Sequence, residues 1–181
     1  MPDRRTELAD AALAVVAAKG LKGLTHRAVD AQAGVAVGTT SNYFRSRAAL
    51  VAAAVEHVEV RDAQLLRQQG VQGLPTTLAE LADQLAGAVL ALAGEHAGLT
   101  RARFAFALDR PEVVVAGHER MVSGLEHMLH AMGLQDARSR AEAVADYSDG
   151  LVLHLLTARQ GQEMQRSTVA DNVRRLLEGC S

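Results

Sequence analysis

The stretch from Leu24 to Phe44 is where this chain has the least structural freedom. Two short helical segments meet at Gly34, where a residue without a Cβ suits the backbone of a tight turn. Thr25 is placed to cap the first segment with its hydroxyl, and that helix reaches Ala33. The second segment spans roughly Val37 to Phe44. Val29, Val35, Val37 and Phe44 are the apolar residues expected to hold the pair at a fixed angle. The second helix keeps a polar outer side, with Gly38, Thr39 and Asn42 at i, i+1 and i+4 and Tyr43 beside them. Such a helix fits the major groove of double-stranded DNA, where each base pair presents its own pattern of donors and acceptors.

The chemistry of each side chain suggests its role. The Asn42 amide matches an adenine edge bidentately, and Thr39 offers either a hydroxyl or a methyl group that suits thymine. Gly38 allows close backbone approach, and Arg27 reaches a base or a phosphate. Thr25, Tyr43 and Arg47 are candidates for phosphate contacts that fix register without reading sequence. Arg47 also opens the next helix, whose first amides favour an anion. Val37 and Ser41, on the same short helix, complete the candidate DNA-binding set. The whole chain carries a formal charge of −2, yet from Gly20 to Leu50 there are Lys22, Arg27, Arg45 and Arg47 against Asp30 alone. Four charges alone read better as a solvated face; the motif they surround gives them weight.

The rest of the sequence is helical in pattern. Leu8, Ala11, Ala12, Val15 and Val16 make one stripe on a helix from Asp3 to Lys19, which Gly20 ends. Ser46 can cap a longer helix through Leu50, Val51, Ala54 and Val58 to near Gln69. Gly70 to Pro75 is the clearest break. Further helices are expected over Thr77–Ala93, Arg101–Leu108, Pro111–Met132, Asp136–Arg159 and from Ser167 or Thr168 to Leu177. Aromatic residues are 3% of the chain and Ala and Leu dominate, which favours helices over sheet. The expectation is an all-α protein of about nine helices: a three-helix helix-turn-helix unit over residues 1–47, joined to a helical bundle over 48–181. Acidic residues at Asp3, Glu7 and Asp10 argue against a signal peptide. The longest apolar stretch, Leu85 to Gly94, is about half of the ~20 residues a bilayer requires. A cytoplasmic protein with no membrane partner is expected. The single cysteine, Cys180, rules out a disulfide within the chain and reads either as a regulatory thiol or as part of a frayed tail.

The order Leu24-Thr25-x-Arg27, Ala33-Gly34-Val35, Gly38-Thr39, then Asn42-Tyr43-Phe44-x-Ser46-Arg47-x-x-Leu50 resembles the tetracycline-repressor (TetR) family of bacterial regulators. The resemblance covers about the first 60 residues. It implies a homodimer that binds a near-palindromic operator, usually as a repressor, and leaves it when a small molecule enters the C-terminal domain. It also implies that the last two long helices build a four-helix dimer interface. Four positions depart from the family's commonest pattern. Ala36 stands where a Ser or Thr cap is usual, a loss of about 1 kcal/mol. Ser41 replaces a frequent Tyr, Arg47 replaces a Lys, and Asp30 occupies a place usually given to a small residue.

Residues 75–181 contain no sharp ligand motif. Phe104, Phe106, Met121, Leu125, Met128, Tyr147, Leu151 and His154 are candidates to line a cavity for the unknown effector, although any one of them reads more readily as core. The scarcity of aromatics favours a modest aliphatic or amphipathic effector. Val152, Leu155, Leu156, Val169, Val173 and Leu176 are candidates for the dimer interface, because the 136–159 helix is apolar over a wide arc. His118, His127 and His130 lack a Cys or carboxylate at matching spacing, so no metal site is assigned, and no cofactor is expected. No nucleophile elbow, phosphate-binding glycine loop or zinc-protease helix is present, and Asp146 and Asp149 read as solvated or interface charges, so no catalytic residue is assigned. The competing reading is a helical carrier that sequesters a small hydrophobic molecule.

Overall fold

A computed structural model describes residues 3–68 and 75–179, which form nine α-helices and no strand among the described residues. The helices are α1 (Arg4–Lys19), α2 (His26–Ala33), α3 (Thr39–Tyr43), α4 (Arg47–Gln68), α5 (Leu78–Ala93), α6 (Ala97–Asp109), α7 (Val115–Ala131), α8 (Ala137–Leu156) and α9 (Arg166–Glu178). The glycine-rich break from Gly70 to Leu74, and Cys180, lie outside the described residues. No helix among the described residues is long and apolar enough to cross a membrane.

Two compact units are present, one made of Met1–Ala63 with Gly98–Val115 and the other of Gln64–Ala97 with Ala116–Ser181. In the first, the Leu8–Val16 stripe of α1 meets Val29, Phe44, Leu50, Val51, Ala54 and Val58 in one apolar core. Ala102 and Phe106 of α6 complete it, with Phe106 only 1% exposed. His57 of α4 adds a polar tie to α1, its Nε2 lying 2.8 Å from Asp10 Oδ1. The sequence reading divides the chain after residue 47, whereas this packed unit takes in most of α4 and all but the first residue of α6 besides.

In the second unit α5 packs along α9 and against α8. The buried residues of α5 are Leu81, Ala82, Ala86, Gly87, Ala88 and Val89, four of them small enough to let helix backbones come close. Thr77 caps α5, its hydroxyl accepting the Glu80 N–H. Arg166, the first residue of α9, forks onto both Asp83 carboxylate oxygens at 2.8 and 2.7 Å. Arg138 joins α8 to Glu119 and Glu126 of α7.

Several boundaries differ from the sequence reading, and the helix expected to reach Arg159 ends at Leu156. Pro111 opens a short 3₁₀ turn, Pro111–Val113, and the α-helix begins only at Val115. The preceding helix starts at Ala97 instead of Arg101, with Gly98 inside its first turn.

Candidate nucleic-acid interface

The two helices expected from the sequence are set by their ends. Thr25 Oγ1 accepts the Ala28 N–H at 3.1 Å, capping α2. Gly34 sits at φ 65°, ψ 32°, and the Val35 N–H returns to the Asp30 carbonyl at 3.0 Å, a Schellman-type stop. The chain then crosses Ala36 and Val37 to Gly38, whose φ of 96° belongs to glycine, before α3 begins at Thr39. This second helix is therefore two residues shorter at its start than its apolar spacing suggested.

Five residues are too few for a helix to hold itself together, so α3 depends on its surroundings. At its N-terminal end the side chain of Asp30, 1% exposed, accepts the Gly38 N–H at 2.8 Å, the Thr40 N–H at 2.7 Å and the Thr40 hydroxyl at 2.5 Å. Burial opposes ionisation of Asp30, but the bonds from Thr40 and Gly38, aided by nearby His26, outweigh it and hold its carboxyl below the ordinary 3.8. At the other end His26 Nε2 lies 2.6 Å from the Phe44 carbonyl, which makes that nitrogen the donor. Phe44 itself is 1% exposed, with the Arg5 guanidinium 4.8 Å from its ring centroid.

All nine DNA-contact candidates reach solvent. Thr25, Arg27, Asn42, Tyr43 and Arg47 are exposed, and Gly38, Thr39 and Ser41 are half-exposed. Val37 is 80% exposed, so it does not hold the two helices together as its hydrophobicity suggested. It precedes α3 in the turn and points away from the core that Val29 and Phe44 enter and Val35 packs against. Thr39 donates its hydroxyl to the Ala36 carbonyl at 2.6 Å and Ser41 to the Gly38 carbonyl at 2.7 Å, which leaves their oxygens as acceptors. An Arg47 Nη donates to the Leu21 carbonyl at 2.9 Å, orienting the guanidinium with several donors to spare. Because Asp30 is withdrawn into the interior, Lys22, Arg27, Arg45 and Arg47 face solvent with no acid among them between Gly20 and Leu50.

Sequence reasoning missed Asp30, Thr40 and His26. The signal was present as two departures read separately: an Ala where a capping hydroxyl is usual, and an acid where a small residue is usual. Asp30 supplies what Ala36 lacks.

The effector candidates are divided between the units. Phe104 and Phe106 belong to the first, Phe106 within its core; Met121, Leu125, Met128, Tyr147, Leu151 and His154 belong to the second. In the second, Met121 and His154 are exposed, Leu125, Met128 and Tyr147 half-buried, and Leu151 buried. The Tyr147 hydroxyl accepts from Asn172 at 3.0 Å. Of the dimer candidates, Val152, Val169 and Val173 are 0% exposed and Leu156 7%, so these four side chains pack inside the protomer. The wide apolar arc of α8 is explained by α5 and α9 lying on it. Leu155 and Leu176 retain exposed surface. A shallow groove of about 400 Å³ runs past Glu126, His127, His130 and Arg138. His127 Nδ1 is occupied by the Ser123 carbonyl, and no group of three or more metal-ligating side chains occurs among the described residues.

Fold and site together define a helix-turn-helix DNA-binding protein. Residues 8–54 match the family described as bacterial regulatory proteins, tetR family, and residues 76–179 match the tetracyclin repressor-like C-terminal domain. The chain belongs to the TetR family of transcriptional regulators. Among solved structures it is similar to the multidrug binding protein EbrR complexed with ethidium, at 26% identity and a TM-score of 0.69 over 97% of this chain and 98% of that one. A TetR-family member from Streptomyces coelicolor A3 is 27% identical, with a TM-score of 0.71 over 97% and 98% of the two chains. A TetR-like regulator from Rhodococcus sp. RHA1 shares the fold at a TM-score of 0.76, with 21% identity over 98% and 96%. Among curated protein sequences none matches this chain.

Proposed function

We propose that the protein is a cytoplasmic homodimeric repressor that holds a near-palindromic operator and releases it when an organic small molecule binds its second unit. One observation carries the reading: the α3 side chains suited to base edges face solvent, while the only acid of the segment is buried beneath them. Asn42 reads bases, with Val37 and the Thr39 methyl available to thymine, and Gly38 allows the backbone close to the duplex. Arg27, Tyr43, Arg47 and Thr25 fix register on the phosphates. Leu125, Met128, Tyr147 and Leu151 are the effector-facing candidates within the second unit, and ethidium is a reasoned first probe because EbrR is seen complexed with it. Leu155 and Leu176 are the remaining candidates for contact between protomers. The effector must favour the DNA-incompetent state, since equal affinity for both states shifts nothing.

A mobility-shift titration at several salt concentrations tests this. A specific regulator prefers one palindrome over random DNA and loses affinity steeply with salt. Asn42→Ala should relax discrimination by about tenfold for the base it reads, whereas Arg47→Ala should weaken all duplexes alike. Tight ligand binding with no preference among duplexes would instead support a helical carrier.

A further inference from the structure

We propose that His26 and Asp30 form a two-point clamp on the DNA-reading helix, making both of them positioning residues for operator recognition; this rests on α3 being the helix that reads DNA. The two lie four residues apart on α2, hence on one face of that helix. Their chemistry is opposite and matched to the two ends of α3. The Asp30 carboxylate accepts at the N-terminal end, from Gly38 and Thr40, and the His26 imidazole donates at the C-terminal end, to the Phe44 carbonyl.

The clamp matters because α3 is too short to fix its own pose. It has five residues, Gly38 provides no side-chain cap, and Ala36 has no hydroxyl to offer. Its inner face contributes Thr40, fully buried, and that side chain is itself bonded to Asp30. Base-edge hydrogen bonds tolerate only a few tenths of an ångström, so a helix free to roll or slide would still meet phosphates while losing base discrimination. Asp30 and His26 therefore govern specificity without touching DNA.

The test uses a duplex selected by the wild-type protein from a randomised pool, with a scrambled duplex as reference. Binding is read at a temperature where unfolding curves show each variant folded. Asp30→Ala should lower the selected-to-scrambled affinity ratio by about tenfold or more, with a smaller loss on the scrambled duplex. Asp30→Asn keeps one acceptor oxygen for Thr40 but cannot serve Gly38 as well, and should fall between. Ala36→Ser in the Asp30→Ala background should recover part of the ratio by restoring a local cap. His26→Ala should lower the ratio in the same direction. An unchanged ratio in Asp30→Ala, or equal losses on both duplexes, overturns the proposal, whereas a wild-type protein with no preferred duplex overturns the DNA-reading assignment itself. Amide exchange on the wild type needs no variant: the Gly38 and Thr40 N–H groups should be protected like core amides, and exchange at unprotected rates refutes the clamp even if Asp30→Ala fails to fold.

Discussion

Gly34 and Gly38 offer a controlled pair. Both have left-handed backbones, at φ 65° and 96°, and a Cβ built on either meets nothing within 4 Å. Substitution by alanine therefore costs backbone strain alone, about 1–2 kcal/mol for an L-residue in that region. Loss of glycine freedom in the unfolded chain returns about 0.4–1 kcal/mol. The net destabilisation should be about 1 kcal/mol at each site, or a melting temperature lower by roughly 2–4 °C for a chain of this length. Against a typical stability of about 5–15 kcal/mol, neither variant is appreciably unfolded at 25 °C, so stability alone changes DNA binding little. The two should nevertheless part on DNA. Gly34 ends α2, whereas Gly38 opens the reading helix beside exposed Val37, where a methyl group stands between backbone and duplex. Fluorescence anisotropy should show Gly38→Ala weaker by about tenfold on a selected duplex, and Gly34→Ala within about twofold of wild type. Matching DNA affinities would remove the close approach assigned to residue 38. A thermal shift far larger than calculated at either site would show that its surroundings are not open.

Two further outcomes follow from the packing and the charges. Phe106→Ala should destabilise by about 3–5 kcal/mol in urea, as a fully buried aromatic, and should lower the unfolding midpoint of the DNA-binding unit with it. The hydrogen bonds from Arg138 and Ser123 hold Glu119 at about 2 instead of 4.5. A carboxyl carbon titration by NMR should find it there, and Arg138→Ala should return it toward the ordinary value. The sign follows from the lowered value: this ion pair stabilises above pH 4.5 and its contribution fades as pH falls toward 2. Both side chains are well exposed, so the stability change should be small.

The N-terminal helices were legible because their signals are local. Thr25 caps, Gly34 stops, and the α1 stripe repeats at helical spacing, all within a turn or two of where each acts. The pose of α3 was not legible, because the Asp30 bonds span eight and ten residues and bind a helix to the side chain of another. Val37 shows the limit of hydrophobicity as a guide: its apolar side chain suits packing as well as a DNA contact, and it stands in solvent beside the left-handed turn at Gly38. In the C-terminal half, periodicity identified the apolar faces of α8 and α9 but not what covers them. Val152, Val169 and Val173 are buried within the protomer, and a one-dimensional pattern cannot rank competing partners for such a face. Periodicity likewise gives no sign that Phe104 and Phe106 sit in a different unit from the other effector candidates.

The chain visits its DNA-binding core twice, once at the start and again through α6. A fragment cut near residue 63 would leave a vacancy where Phe106 and Ala102 belong. Anyone grafting this reading head onto a foreign sensor must carry α6 along, or supply an aromatic plug of equal volume from the host.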